Sequence, residues 1–262
     1  MKRKKDGAQG APGLKSLWEP AASLLPFLIG LAVFVVYPFI NVFLISFQND
    51  YNMMTGAFDG FGVENYRKIL ADPNFLNGLR NTALYVVFVV PVSTAISLGI
   101  ASMLNANIRL QGLFQTCYFL PMVTSITAVG LVWKWMFNPY YGLLNYVFKE
   151  LGILSRNLNW LGSPDTALWC IILILFTTSI GQPIVLYVSA LSNVDHSLVE
   201  AAEVDGATNM QVFWRIKWPQ IMPTTLYILV ITTINSFQCF ALIQLLTSGG
   251  PTYATSTIMS YI

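Results

Sequence analysis

Five stretches of the chain, 21–47, 81–104, 113–133, 167–191 and 223–247, are apolar and contain no Asp, Glu, Lys or Arg. A helix rises about 1.5 Å per residue, so roughly 20 such residues cross a ~30 Å hydrocarbon core. Each run meets that length. Lipid offers no partner for backbone N–H and C=O groups, so a run of this kind spans as a helix. The chain therefore reads as an all-α polytopic membrane protein. Composition agrees, since only 10% of the 262 residues are charged, against about 25% in soluble domains. A cytosolic enzyme, a secreted disulfide scaffold and a disordered regulator are excluded. The net charge of +2 is too small to argue for nucleic acid. Cys117, Cys170 and Cys239 fall inside apolar runs, far from any metal-ligand spacing, and read as small buried hydrophobes.

The first run is not a secretory signal, because it starts about twenty residues in and exceeds the ~7–15-residue apolar core of such signals. Lys2, Arg3, Lys4, Lys5 and Lys15 precede it in a basic tail, 1–20. They predict a cytoplasmic N-terminus. Alternation then puts 48–80 and 137–166 outside and 105–112 and 192–222 inside. After Lys217 no charged residue follows. Past the turn signal Ser248-Gly249-Gly250-Pro251, the stretch Thr257–Ile262 reads as the opening of a sixth span that is cut short. Within the runs Pro91, Pro121 and Pro183 each remove a backbone donor and crowd the carbonyl four residues earlier. Each predicts a kink facing protein or water. Thr178 and Gln182 share a face beside one of these prolines, and Thr232, Asn235 and Gln238 form a polar stripe along the fifth run. Such stripes serve interhelical hydrogen bonding or a hydrophilic path through the bundle.

The segment 195–222 is the most informative. Ser197-Leu198-Val199-Glu200 has capping-box spacing and predicts a short helix with Leu198, Ala201 and Ala202 on one face, Glu200 and Glu203 beside them. Asp205-Gly206 ends it, since glycine accepts the left-handed conformation of helix stops. Thr208-Asn209-Met210-Gln211 is a second capping box. It opens a helix with Met210, Phe213 and Trp214 on one side and Arg215 and Lys217 near its end, and Pro219 is expected to stop it. Two capped helices in one loop are more than a connector requires, and the pattern suits docking on another protein. His196 beside it reads as a solvated side chain, and Lys134, between Trp133 and Trp135, as an interfacial anchor.

The pattern Glu200-Ala201-Ala202, three residues, Gly206, nine residues, Ile216-x-x-Pro219 resembles the EAA loop of binding-protein-dependent ABC importer permeases. Trp218 departs from the leucine usual before the proline. Asn65-Tyr66, Asn81-Thr82, Tyr118-Phe119-Leu120-Pro121, Trp133-Lys134-Trp135-Met136-Phe137, Tyr141-Gly142-Leu143-Leu144-Asn145 and Thr247-Ser248-Gly249-Gly250-Pro251 are similar to the carbohydrate-uptake branch, the maltose and glycerol-3-phosphate type. The resemblance covers about 20–262. It implies the transmembrane bundle of a type I ABC importer, with one span more than the five seen here. It also implies a cytoplasmic ABC ATPase dimer gripping Glu200, Ala201, Ala202, Asp205 and Gly206, with Ile216 and Pro219 completing the loop. A second related permease subunit and an extracytoplasmic solute-binding protein complete the implied assembly.

The chain has no Gly-x-x-x-x-Gly-Lys-Ser/Thr phosphate loop, so ATP hydrolysis is expected on a separate subunit. No cofactor or metal is implied, and the partners are these proteins and membrane lipid. For a sugar, polar groups and aromatic faces are needed, and Asn235, Phe237, Gln238, Phe240 and Gln244 offer both; the two phenylalanines suit packing equally well. A secondary transporter would need an ionisable group within a span, and none is there. A membrane enzyme would need a clustered catalytic set, which a single histidine and scattered acids do not supply. A non-transporting assembly subunit is compatible with the polar stripes.

Overall fold

The computed structural model describes residues 14–105 and 111–262. The basic residues Lys2 to Lys5 and most of the loop 105–112 lie outside the described residues. The chain divides into two compact units, 1–71 and 72–262. Among the described residues the regular secondary structure is helical, apart from one isolated antiparallel bridge, Gln48 to Phe61.

The first unit holds α1 (Leu14–Leu31), a π-helical turn (Ala32–Val36), α2 (Tyr37–Ser46) and α3 (Glu64–Ala71). Ser23–Ser46 is long and apolar enough to cross a membrane, and none of it is buried. The π turn stands directly before Pro38, and the Tyr37 N–H reaches back to the Ala32 carbonyl. A widened turn relieves the clash of a proline ring with the preceding turn. Asn65 and Tyr66 are tethers. Asn65 Nδ2 donates to the Ser46 and Gln48 carbonyls at 3.1 and 2.9 Å, and the Tyr66 hydroxyl lies 2.7 Å from Ser46 Oγ.

The second unit is built around α4 (Pro73–Asn105). Its buried residues include Tyr85, Val89, Ser93, Ser97 and Ala101, four apart, so they form one stripe. Small residues on that stripe let neighbouring backbones come close, which in lipid replaces the hydrophobic drive that water supplies. Against α4 pack α8 (Pro164–Ser179), α9 (Gly181–Ser192) and α12 (Trp218–Phe237). One core cluster gathers Tyr85, Val89, Phe137, Ile171, Ile174 and Ile243; a second gathers Ala101, Tyr187, Leu191, Val194, Ile221 and Ile228. On α7 (Leu143–Glu150), Asn145 acts as a hub for the loop that leads to α8. Its Nδ2 donates to the Leu158 carbonyl at 2.9 Å and its Oδ1 accepts from Trp160 Nε1 at 2.9 Å.

The five expected spans do not survive as five unbroken helices. Three helical runs, 23–46, 73–105 and 164–192, are long and apolar enough to cross. The run 113–133 is divided at Thr124–Ser125 into α5 (Gln111–Val123) and α6 (Ile126–Met136). The run 223–247 is divided at 238–240 into α12 and α13 (Ala241–Leu246). Of the prolines expected to kink their runs toward protein, Pro183 fits, being buried beside a bend, whereas Pro91 is exposed; the surroundings of Pro121 lie outside the described residues. Pro91 lies inside an unbroken α4, and Pro183 occupies the first turn of α9, just past a bend at Ile180. Ser97 Oγ donates to the Ile180 carbonyl at that bend, at 3.2 Å.

Candidate functional site: a docking loop and a membrane cavity

The loop 192–222 folds as two helical arms. The first is α10 (His196–Val204). The expected Ser197–Glu200 box is replaced by a cap two residues earlier: Asp195 accepts from the Ser197 N–H at 2.9 Å and from Ser197 Oγ at 2.8 Å. A carboxylate is a stronger acceptor than a hydroxyl and favours the positive end of the helix. Those two hydrogen bonds, the side-chain one first, hold the Asp195 carboxyl below its ordinary value.

At the other end the Ala207 N–H bonds the Ala202 carbonyl at 2.9 Å and the Gly206 N–H bonds Glu203 at 3.0 Å, with Gly206 at φ +79°. This is the glycine stop the sequence predicts. Glu200, Ala201, Asp205 and Gly206 are exposed together on this arm, and Ala202 is half-buried. Val204 is 88% exposed, an apolar side chain with nothing over it in the isolated chain. Val199 turns inward and packs on the cluster of Leu191, Val194 and Ile221.

The second arm starts at α11 (Asn209–Val212) with the expected box: the Thr208 N–H donates to Gln211 Oε1 at 2.8 Å, and the Gln211 N–H to Thr208 Oγ1 at 3.4 Å. Pro219 does not stop it. A π-helical turn (Phe213–Lys217) precedes the proline, and the helix continues into α12. The same device accommodates Pro38. Ile216 and Pro219 therefore belong to the second arm, apart from the Glu200–Gly206 group. Trp218 packs against the second core cluster, so the larger side chain in place of leucine is accommodated.

The interruptions in the bundle converge on a cavity of about 310 Å³. Thr124 comes from the α5/α6 break, Thr178 and Ser179 from the end of α8, Thr232 and Asn235 from α12, and Gln238 from the first residue past its end. Phe240 and Cys239 contribute from the α12/α13 break. Most of the hydroxyls donate to carbonyls of their own helices: Thr124 to Leu120, Thr178 to Leu175, Ser179 to Phe176 and Ser236 to Thr232. They present acceptor lone pairs to the cavity, while the amides of Asn235 and Gln238 bring both donors and acceptors. No charged side chain is among the described lining residues. The surface suits a neutral, hydroxyl-rich solute.

Of the candidate contacts, Asn235, Gln238 and Phe240 line this cavity, and Phe237 and Gln244 do not. Phe237 stands two residues, about 200°, round the helix from Asn235, and is 44% exposed. Gln244 lies beyond the break, where helical phase starts afresh. Gln182, past the bend at Ile180, is likewise outside the lining that includes Thr178. The reading of the sequence missed Thr124, Ser179, Ser236 and Cys239. The Thr124-Ser125 pair within an apolar run was the only signal for the first of these.

A family model for the binding-protein-dependent transport system inner membrane component matches residues 93–262. A probable ABC transporter permease protein of Pyrococcus horikoshii is 31% identical over 236 residues, covering 90% of this chain and 80% of that protein. The lactose transport system permease protein of Rhizobium radiobacter is 33% identical over 235 residues, covering 88% and 78%. Among solved structures, a chain of a bacterial ABC transporter involved in import of the acidic polysaccharide alginate superposes with a TM-score of 0.79. It shares 25% identity and covers 95% of this chain and 84% of that one.

Proposed function

We infer that this chain, which belongs to the family of binding-protein-dependent transport system inner membrane components, is the permease subunit of an ATP-driven importer for a neutral carbohydrate. It is an integral membrane protein, and ATP hydrolysis belongs to a separate subunit. In this reading residues 21–262 form the transmembrane domain, 1–20 a cytoplasmic tail, and 192–222 face the cytoplasm, as the basic residues before the first span favour. A second permease subunit completes the pathway, and a solute-binding protein delivers to the opposite face.

The observation that carries the proposal is the exposed, doubly capped arm α10. A helix fixed at Asp195 and at Gly206 keeps its shape when pushed, so a partner gripping Glu200, Ala201 and Asp205 moves it as a rigid body. The second arm then passes the motion on. From Thr208 the helix runs through the π turn and α12 without a stop, and α12 alone is 20 residues, roughly 30 Å. Its far end is the break at 238–240, a wall of the cavity. ATPase closure at one end of this lever thus changes the cavity at the other, as alternating access requires.

Solute identity follows from the lining. Asn235 and Gln238 match sugar hydroxyls, and Phe240 offers a ring face. Lactose and alginate are substrates of the relatives; the uncharged cavity favours the neutral class here.

Cross-linking tests the docking role. Ala201→Cys in a Cys117→Ser background is expected to cross-link to the ATP-hydrolysing subunit in native membranes. An absence of any such product, or solute movement by the chain without that subunit, overturns the proposal.

A further inference from the structure

One face of α4 is given over to the segment 253–258, which follows the Gly-Gly-Pro turn. Asn81, 4% exposed, directs Nδ2 at three carbonyls of that segment: Ser256 at 2.9 Å, Ala254 at 3.0 Å and Tyr253 at 3.5 Å. One residue on, Thr82 Oγ1 donates to the Gly78 carbonyl at 2.8 Å and accepts the Ile258 N–H at 3.2 Å. Tyr85, a turn further along, donates its hydroxyl to the Thr255 carbonyl at 3.4 Å. Gly78 makes the approach possible: a Cβ there would stand 3.2 Å from the Thr257 carbonyl carbon and 3.3 Å from its oxygen. Residues 78, 81, 82 and 85 fall on one side of a helix, so the whole face is a cradle for a strap of backbone.

The strap reaches the cavity wall through one side chain. Thr257, fully buried, donates Oγ1 to the Cys239 carbonyl at 3.2 Å. Cys239 sits in the break between α12 and α13, where the helical ladder does not run, and it lines the cavity. A carbonyl left unpaired at such a break is costly in an apolar surrounding. The hydroxyl of Thr257 is what meets that need, and it is delivered there by a strap whose Ala254 and Ser256 carbonyls are held by Asn81, with Asn77 taking the Tyr253 carbonyl at 2.7 Å.

We propose that Asn81 is a positioning residue for the translocation cavity, acting through the strap and Thr257 to hold the 238–240 break in its open-walled shape. The assignment rests on the reading of this cavity as the solute path. Asn81 touches no cavity surface itself; it fixes the register of the strap, and the strap fixes the break.

The test uses the thiol that the break already carries. Cys170 and Cys239 are buried as their apolar runs suggest, but Cys117 is exposed. In vesicles containing the assembled transporter, with Cys117→Ser removing that thiol, Cys239 is titrated with a membrane-impermeant methanethiosulfonate. Cys170, buried in the same core cluster on α8, reports general loosening. Asn81→Asp, which sets a carboxylate against three carbonyls, is expected to raise the Cys239 reaction rate roughly tenfold, as loss of the hydrogen bonds that hold the strap implies. Thr257→Val, which keeps the shape and removes one hydroxyl, is expected to do the same while Cys170 stays protected. Thr257→Ser is expected to restore the native rate. An unchanged Cys239 rate in either variant, or a rise shared equally by Cys170, overturns the assignment. The underlying cavity reading fails separately, if the Cys239 rate in the Cys117→Ser chain does not respond to ATP with vanadate.

Discussion

The docking loop and the membrane cavity lie in the same unit and are held by opposite means. In the loop the hydrogen bonds that cap the helices are local: Asp195 with Ser197, Ala202 with Ala207, Thr208 with Gln211. The cavity exists because helices fail to continue, and the groups exposed by that failure are met from far along the chain. Ser97 bonds Ile180, 83 positions away, and Thr257 bonds Cys239, 18 away. On the function proposed above, the handle that transmits force owes the shape of its ends to short-range bonds. The passage that opens and closes is held by long-range ones.

The largest expected effect falls on the loop. Gly206→Pro forbids φ +79°, since proline is confined near −65°, and deletes the N–H that bonds Glu203. A proline in an incompatible position costs about 3 kcal/mol or more, so uptake and binding-protein-stimulated ATP hydrolysis should fall together to background while membrane insertion, measured by fractionation, persists. Normal uptake would break the contrast by showing that the stop has no role in transmission.

Glu200→Lys comes next. Reversing one exposed charge at a protein interface weakens association without disturbing the fold, and a roughly tenfold loss of stimulated hydrolysis is expected. Extra ATPase subunit should partly restore it, which it should not do for Gly206→Pro.

The cavity should respond in a different parameter. Asn235→Ala and Gln238→Ala each remove a hydrogen-bonding group worth about 0.5–1.5 kcal/mol, so each should raise the apparent KM for uptake roughly three- to tenfold. Phe237→Ala, outside the lining, should leave KM unchanged. Equal effects from Phe237 and Asn235 would remove the distinction between a lining and a non-lining face of α12.

The smallest effect tests the cap. Asp195→Ala should speed amide hydrogen exchange in α10 more than Ser197→Ala does, because Asp195 is the acceptor and Ser197 the donor. The same bond sets a pH dependence. A carboxyl whose folded pKa lies below 3.8 contributes stability that is present above the unfolded value and lost as pH falls through the folded one. Exchange in α10 should therefore be flat from neutral pH to about 4 and rise only below, once the intrinsic rate is divided out.

The two regions were not equally legible. The Gly206 stop and the Thr208–Gln211 box were readable because each is decided within a few residues. Even there, the choice of Asp195 over Ser197 as cap depended on which acceptor the first turn met. Pro219 was read as a terminator because an isolated helix ends at such a residue. A π turn carries the chain past it, and Trp218 anchors that turn on the second core cluster. The divisions at Thr124–Ser125 and 238–240 contain neither glycine nor proline. Apolar content alone therefore could not reveal them.

What the sequence settled by itself is the solvent and the handle. Uncharged runs long enough to cross lipid impose helices, and the Glu200–Pro219 spacing marks the loop proposed above as the docking handle. What only the tertiary structure decided is where those helices give way. At 238–240 and at Ile180 the freed carbonyl is taken by a distant hydroxyl, Thr257 and Ser97 respectively, and that meeting is a property of the packed bundle rather than of any stretch of chain.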